Sequence, residues 1–206
     1  LGYRIKSSPK YKPQVNNILK KFINIIDLDL AEINITDLSV ILNMKNLEIL
    51  NLTYLENSME TLNILSNLNY LNKLILNNKD INVENLSNIN KLLNLRELNL
   101  NDNVELIKLP DLPNKIEIIK LNNCKNLDDI LSLSECINLK YLDIAGTHIK
   151  DISFLSNCKL IECLNIACTK IKIISVITNY NLLKKIYINH THIYHPTNKK
   201  QNIIDI

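Results

Sequence analysis

Leu139-Lys-Tyr-Leu-Asp-Ile-Ala-Gly-Thr-His-Ile-Lys-Asp-Ile-Ser-Phe-Leu155 is the stretch whose spacing decides the fold. Its apolar residues fall at Leu139, Leu142, Ile144 and Ile149. The alternation Leu142-Asp143-Ile144 is that of a short strand burying one face. The sequel, Ile149-x-x-Ile152-x-x-Leu155, has a period of three, which suits a 3-10 turn better than an α-helix. A strand followed by a tight return is one coil of a repeat. The next coils repeat the frame as Ile161, Leu164, Ile166, Ile171, with Ile171-x-x-Ile174-x-x-Ile177, and then as Leu183, Ile186, Ile188, Ile193.

Working toward the N-terminus, the same frame recurs less cleanly. Its central residues are Leu28, Leu52, Leu76, Leu100, Leu121, Ile144, Ile166 and Ile188, spaced by 21–24 residues. The first strand reads as Ile23, Ile26, Leu28 and Ile33 pointing inward. The second reads as Leu47, Leu50, Leu52; the third as Leu71, Leu74, Leu76, Ile81; the fourth as Leu95, Leu98, Leu100; the fifth as Ile116, Ile119, Leu121. The first three intervals are 24 residues long, and their connections read as short helices. Asp37 is placed to cap one carrying Leu38, Ile41 and Leu42, and Val83, Leu86, Ile89, Asn90 and Leu93 have helical spacing. Leu109-Pro110-Asp111-Leu112-Pro113 excludes a helix, since two prolines impose extended backbone. Three residues beyond each central position stand Ala31, Leu55, Lys79, Asn103, Cys124, Thr147, Thr169 and Thr191. Asn, Thr and Cys there can bond to the backbone of the turn; Ala, Leu and Lys cannot do so in that way.

Written out, the frame is L-x-x-L-x-L-x-x-(N/C/T)-x-L, and across eight copies the chain resembles the leucine-rich-repeat proteins. The 139–155 stretch resembles internalin-like and protein-phosphatase-regulator-like repeats. Cys136 and Cys158, three before the first strand apolar residue, with Cys124 at the Asn position, resemble cysteine-containing repeats of F-box substrate receptors. The Leu-Pro-Asp-Leu-Pro stretch resembles short repeats of bacterial effectors. No subfamily fits throughout. The resemblance implies an α/β fold: a right-handed, curved solenoid of about eight repeats. A parallel sheet would line the concave face, short helices and 3-10 turns the convex one, and proteins would bind on the concave sheet. The expected divisions are an N-terminal segment 1–21 with a capping helix, the solenoid 22–195, and a tail or crude cap 196–206. Residues 1–13 read as loose. After Pro13, Val15, Ile18, Leu19 and Phe22 form an amphipathic stripe suited to covering the first coil, as the ends of such arrays require.

Composition narrows the function classes. The 206 residues are 46% hydrophobic, enough for one continuous core, and the net charge of +3 is too balanced to imply nucleic acid. No apolar run reaches the ~18 residues of a membrane span. Lysine outnumbers arginine 22 to 2 and Asn is abundant, as in an AT-rich genome. The N-x-S/T triplets at Asn34, Asn51, Asn85 and Asn189 therefore carry little weight. The odd cysteine count, five (Cys124, Cys136, Cys158, Cys163, Cys168), argues for reduced thiols and an intracellular, cytoplasmic setting. Secretion stays open because the chain begins at Leu1. Gly2 and Gly146 are the only glycines, so no phosphate-cradling loop or nucleophile elbow can be written, and no cofactor is expected.

The candidate site is therefore a surface. Outward strand residues Asp27, Asn51, Ile75, Asn99, Lys120, Asp143, Asn165 and Tyr187 form one expected column. Ile25, Ile49, Lys73, Ile118, Tyr141 and Lys185, with Glu97 and Cys163, form a second. A third is Asp29, Thr53, Asn77, Asn101, Asn122, Ala145, Ala167 and Asn189. The isoleucines and the two tyrosines are the anchors, because large rigid side chains carry most interface energy. Exposed isoleucine also reflects composition and β-propensity. Cys136 and Cys158 fall within disulfide reach on adjacent coils, but the favoured reading is two buried thiols packing as small hydrophobes. His190, His192 and His195 share no evident face, so no metal is expected. The expected function is a non-enzymatic scaffold holding a partner protein on the concave sheet. The alternatives are a recognition or targeting subunit of a ubiquitin ligase or phosphatase, or a structural subunit of a large assembly.

Overall fold

A computed structural model describes residues 3–4, 14–33, 35, 37–54, 62–78 and 81–193. The chain winds into nine short strands that pair in sequence order: β1 (Tyr3–Arg4), β2 (Asp27–Asp29), β3 (Ile49–Asn51), β4 (Lys73–Ile75), β5 (Glu97–Asn99), β6 (Ile118–Lys120), β7 (Tyr141–Asp143), β8 (Cys163–Asn165) and β9 (Lys185–Tyr187). All pairs are parallel. Only the central residue of each strand from β2 to β8 points into the core. Leu28, Leu50, Leu74, Leu98, Ile119, Leu142 and Leu164 are at most 1% exposed. Burying such side chains contributes ~1.5–3 kcal/mol each, so three-residue strands suffice when each coil stacks on the last.

The first coil departs from its expected register. Leu28 pairs with Leu50, 22 residues on rather than 24, and Asp29 pairs with Asn51. Ile23 and Ile26, expected inside, are 56% and 53% exposed, while Leu28, Leu30, Ile33 and Ile35 are buried. A slip of one residue turns a strand over; a slip of two leaves its faces unchanged. Alternation therefore does not discriminate between the two frames, and the packing of Leu28 and Leu30 against the next coil does.

The convex returns are 3-10 helices: Leu38–Asn43, Leu62–Asn67, Ile89–Lys91, Leu131–Glu135, Ser153–Asn157 and Ser175–Asn179. Asp37 caps the first as expected, accepting the Ser39 N–H, but the element is 3-10 rather than the expected helix. In 81–94 the buried apolar residues are Ile81, Leu86, Ile89 and Leu92, with Asn85 buried among them, whereas Leu93 is 65% exposed. Parallel strands repeat every ~4.8 Å and packed α-helices need ~8–10 Å, so the slimmer helix fits the coil spacing. Residues 109–113 carry no helix, as the prolines require.

At the N-terminus α1 (Gln14–Leu19) buries Val15 and Leu19, while Ile18 and Phe22 are 45% and 46% exposed. Asn16 Nδ2 donates to Asp37 O at 3.1 Å, tying α1 to the first return. Tyr3–Arg4, expected loose, pairs with β2, so strand and helix both cover that edge. The other end differs: Ile186, equivalent to the fully buried Leu164, is 36% exposed. The expected tail 196–206, His195, and the turn positions Leu55 and Lys79 lie outside the described residues.

Among the described residues seven coils leave their strand through one left-handed residue. Glu32, Tyr54, Asp102, Asn123, Gly146, Cys168 and His190 all have φ between 55° and 69°, and all stand two after the second inward strand residue. Just beyond runs the buried polar ladder. Asn103 Nδ2 donates to Leu100 O (2.7 Å) and to Leu76 O of the preceding coil (2.8 Å). Cys124 Sγ likewise reaches back to Leu100 O (3.0 Å). Thr147, Thr169 and Thr191 bond only within their own coils, to Ile144 O, Ile166 O and Ile188 O at 2.6–2.7 Å. The first coil puts Ile33, 1% exposed, at this position rather than the expected Ala31.

Candidate functional site

Pairing places two columns on the outer face of the sheet. One holds Asp27, Ile49, Lys73, Glu97, Ile118, Tyr141, Cys163 and Lys185; the other holds Asp29, Asn51, Ile75, Asn99, Lys120, Asp143, Asn165 and Tyr187. From β3 onward these are the expected columns. In the first coil the two-residue slip corrects both assignments. Asp27 moves beside Ile49, Asp29 stands beside Asn51, and Ile25 leaves the face to pack half-buried against the core.

The second column does structural work that its spacing did not reveal. Asp29 Oδ1 accepts the Ala31 N–H (2.9 Å) and Asn51 Oδ1 that of Thr53 (3.1 Å). Asn99 accepts from Asn101 (3.1 Å), Asp143 from Ala145 (3.0 Å) and Asn165 from Ala167 (3.2 Å). Each is an Asx turn, the side-chain oxygen shaping the exit from its strand. The legible signal was Asn or Asp two residues before a small or polar residue at a strand end.

Charge is paired across coils. Glu97 bonds Lys120 (2.7 Å) and Lys73 (3.2 Å), joining β4, β5 and β6. Burial opposes ionisation of Glu97, but the hydrogen bonds from Lys120 and Lys73 prevail and hold its carboxyl below the usual range. Beside the sheet Arg96, Glu117, Lys140, Glu162 and Lys184 alternate in sign on successive coils. Glu117 takes both Arg96 and Lys140 (2.7 Å to the latter), and Glu162 takes Lys184 (2.6 Å). Such exposed pairs contribute little stability, ~0–1 kcal/mol each, and mainly set the surface pattern.

Toward the C-terminal half lies an apolar run: Ile118, Tyr141 and Cys163 on consecutive strands, with Tyr187 46% exposed beside them. Lys120 Nζ sits 6.0 Å from the Tyr141 ring centre. Burial raises the Tyr141 hydroxyl, and nearby Asp143, Cys163 and Tyr187 add to the shift. The thiols of Cys136 and Cys158 are free; that of Cys158 donates to Leu133 O (3.2 Å), and burial pushes the two up to about 12 and about 11. Among the described residues no group of three His, Cys, Asp or Glu is placed to hold a metal. A cleft of about 700 Å³ is lined by Lys150, Lys170, Lys172 and Ile173 among others.

No family model matches the chain, and no curated protein matches it. Solved structures do. An internalin from Listeria monocytogenes aligns over 87% of this chain with 21% identity and a TM-score of 0.65. A leucine-rich-repeat protein from Leptospira interrogans aligns over 87% with 23% identity and a TM-score of 0.62. The fold is a leucine-rich-repeat solenoid. The chain spans about half the length of those two, 52% of each. The leucine-rich-repeat ectodomain of a plant membrane receptor kinase from Arabidopsis thaliana aligns over 85% at 13% identity, with a TM-score of 0.62 and 22% of its length covered. That ectodomain was solved in complex with Casparian strip integrity factor 2. Among the described residues no helix is long and apolar enough to cross a membrane.

Proposed function

We propose that this leucine-rich-repeat chain is a non-enzymatic scaffold that holds a partner protein on its concave sheet. The observation carrying the reading is the apolar run Ile118–Tyr141–Cys163 with half-exposed Tyr187, set on a face that no other element of the described chain covers. Aromatic side chains on a rigid sheet lose little rotamer freedom on docking and bury much area. The plant ectodomain, which shares the fold, is found in a complex. An intracellular, reducing setting accords with free thiols at Cys136 and Cys158.

Cross-linking mass spectrometry in native lysate, followed by binding of the purified partner, tests this. Tyr141→Ala with Tyr187→Ala should weaken binding by at least about tenfold, as loss of two hot-spot residues does. The melting temperature should stay within a few degrees, since neither ring is in the core. Undiminished binding of every specific partner would remove the concave face from the account.

A further inference from the structure

Three asparagines on strands β3 to β5 and their exits are locked in one orientation by the chain's own backbone. Asn51 Oδ1 accepts both the Thr53 N–H (3.1 Å) and the Thr53 hydroxyl (2.6 Å). Asn99 Oδ1 accepts the Asn101 N–H (3.1 Å), and Asn101 Oδ1 accepts the Asn122 N–H from the next coil (2.8 Å). The neighbours are donors, so the oxygen must face them and the amide cannot flip. The half of each amide left for a partner is therefore Nδ2, which donates only. Lys73 and Lys120 stand in the same stretch, and the one acid between them, Glu97, is held by both. Acids return to these columns only at the two ends: Asp27 and Asp29 on β2, and Asp143 on β7. Ile49, Ile75 and Ile118 fill the space between the donors.

Resting on the concave-face reading above, we propose that β3 to β6 form a donor-rich recognition surface for a protein partner carrying acidic side chains. The partner's carboxylates accept from the pinned amides of Asn51, Asn99 and Asn101 and from Lys73 and Lys120, while its apolar groups meet the isoleucines. Pinning matters because an amide free to rotate offers oxygen or nitrogen equally, whereas a fixed one admits acceptors and repels donors. The arrangement costs the partner no reorganisation of these side chains on docking.

The chain supplies its own control. Asp29 and Asp143 make the same turn as Asn51 and Asn99 with a carboxylate. Asn51→Asp and Asn99→Asp therefore keep the turn, Asn101→Asp keeps an oxygen to accept the Asn122 N–H, and together they replace three donors with three acceptors. The probe is the purified protein that cross-links to Lys73 or Lys120 in native lysate. The triple variant should bind it at least about tenfold more weakly. In the wild-type complex the side-chain amide NMR signals of the three asparagines should shift, a readout that stands even if the triple variant melts early. Unshifted signals, or triple-variant binding within twofold of wild type, overturn the proposal; if Tyr141→Ala with Tyr187→Ala still weakens binding, the concave reading survives that failure. No protein cross-linking to either lysine, or full binding by both variants, overturns both.

Discussion

Gly146 shows how much a single residue carries in a repeat. It stands at the left-handed exit with φ +69°, where the other coils accept Glu, Tyr, Asp, Asn, Cys and His. A Cβ at Gly146 would stand 2.9 Å from Asn123 Oδ1. Asn123 is itself held, its Nδ2 donating to Asp102 Oδ1 at 3.1 Å. Gly146→Ala therefore adds left-handed strain to a contact that must give way. It should lower stability by about 1–2 kcal/mol, the usual cost of a non-glycine residue in that region, read by urea unfolding. The same scale explains why the outward columns were only half legible. Alternation told which side Asn51, Asn99 and Asn165 face, but the donor bound by each oxygen depends on backbone direction at the strand exit.

At the scale of the element, the strands are equal in length and unequal in setting. Leu142 on β7 is fully buried between two coils, and its counterpart Ile186 on β9 is 36% exposed. Removing a core side chain costs its transfer energy plus the cavity left behind. Leu142→Ala should cost about 2–5 kcal/mol, and Ile186→Ala about 1 kcal/mol, since less area is buried there. Chemical unfolding of the two variants checks the ratio, and amide exchange should be faster at β9 than at β7. The convex returns teach a related lesson. Their period of three was plain at Ile149, Ile152 and Leu155, and residues 131–135, 153–157 and 175–179 are 3-10 as that implies. The earlier returns read as ordinary helices because Leu38, Ile41 and Leu42 satisfy both periods; coil spacing decided between them.

For the whole molecule, stability runs along the stack, each coil depending on its neighbours. Glu97, partly buried in the sheet face, is one charge that ties three coils together. Its carboxyl is held below its ordinary value in the folded chain, so its contribution is complete above about pH 4.5 and fades as pH falls through the folded value. Glu97→Gln should therefore lower the melting temperature at pH 7 and make progressively less difference as pH falls through the folded value, where wild type loses the same interaction. A thermal scan series in pH measures the convergence; a constant gap would show that Lys73 and Lys120 add nothing through charge.

By itself the sequence determined the repeat, the inward residues of β3 to β8, the tight returns at its C-terminal half and the absence of helix at 109–113. These follow from local spacing, because each coil buries its own short list of apolar residues. Only the tertiary structure decided the register of the first coil, since a two-residue slip preserves every face. Stacking alone also set Ile25 against the core, brought Lys73, Glu97 and Lys120 into one bonded set, and turned Asn51, Asn99 and Asn101 so that their side-chain oxygens meet backbone N–H groups. Those outcomes join residues 21 or more apart, or depend on the backbone path between coils, and no spacing within one coil encodes them.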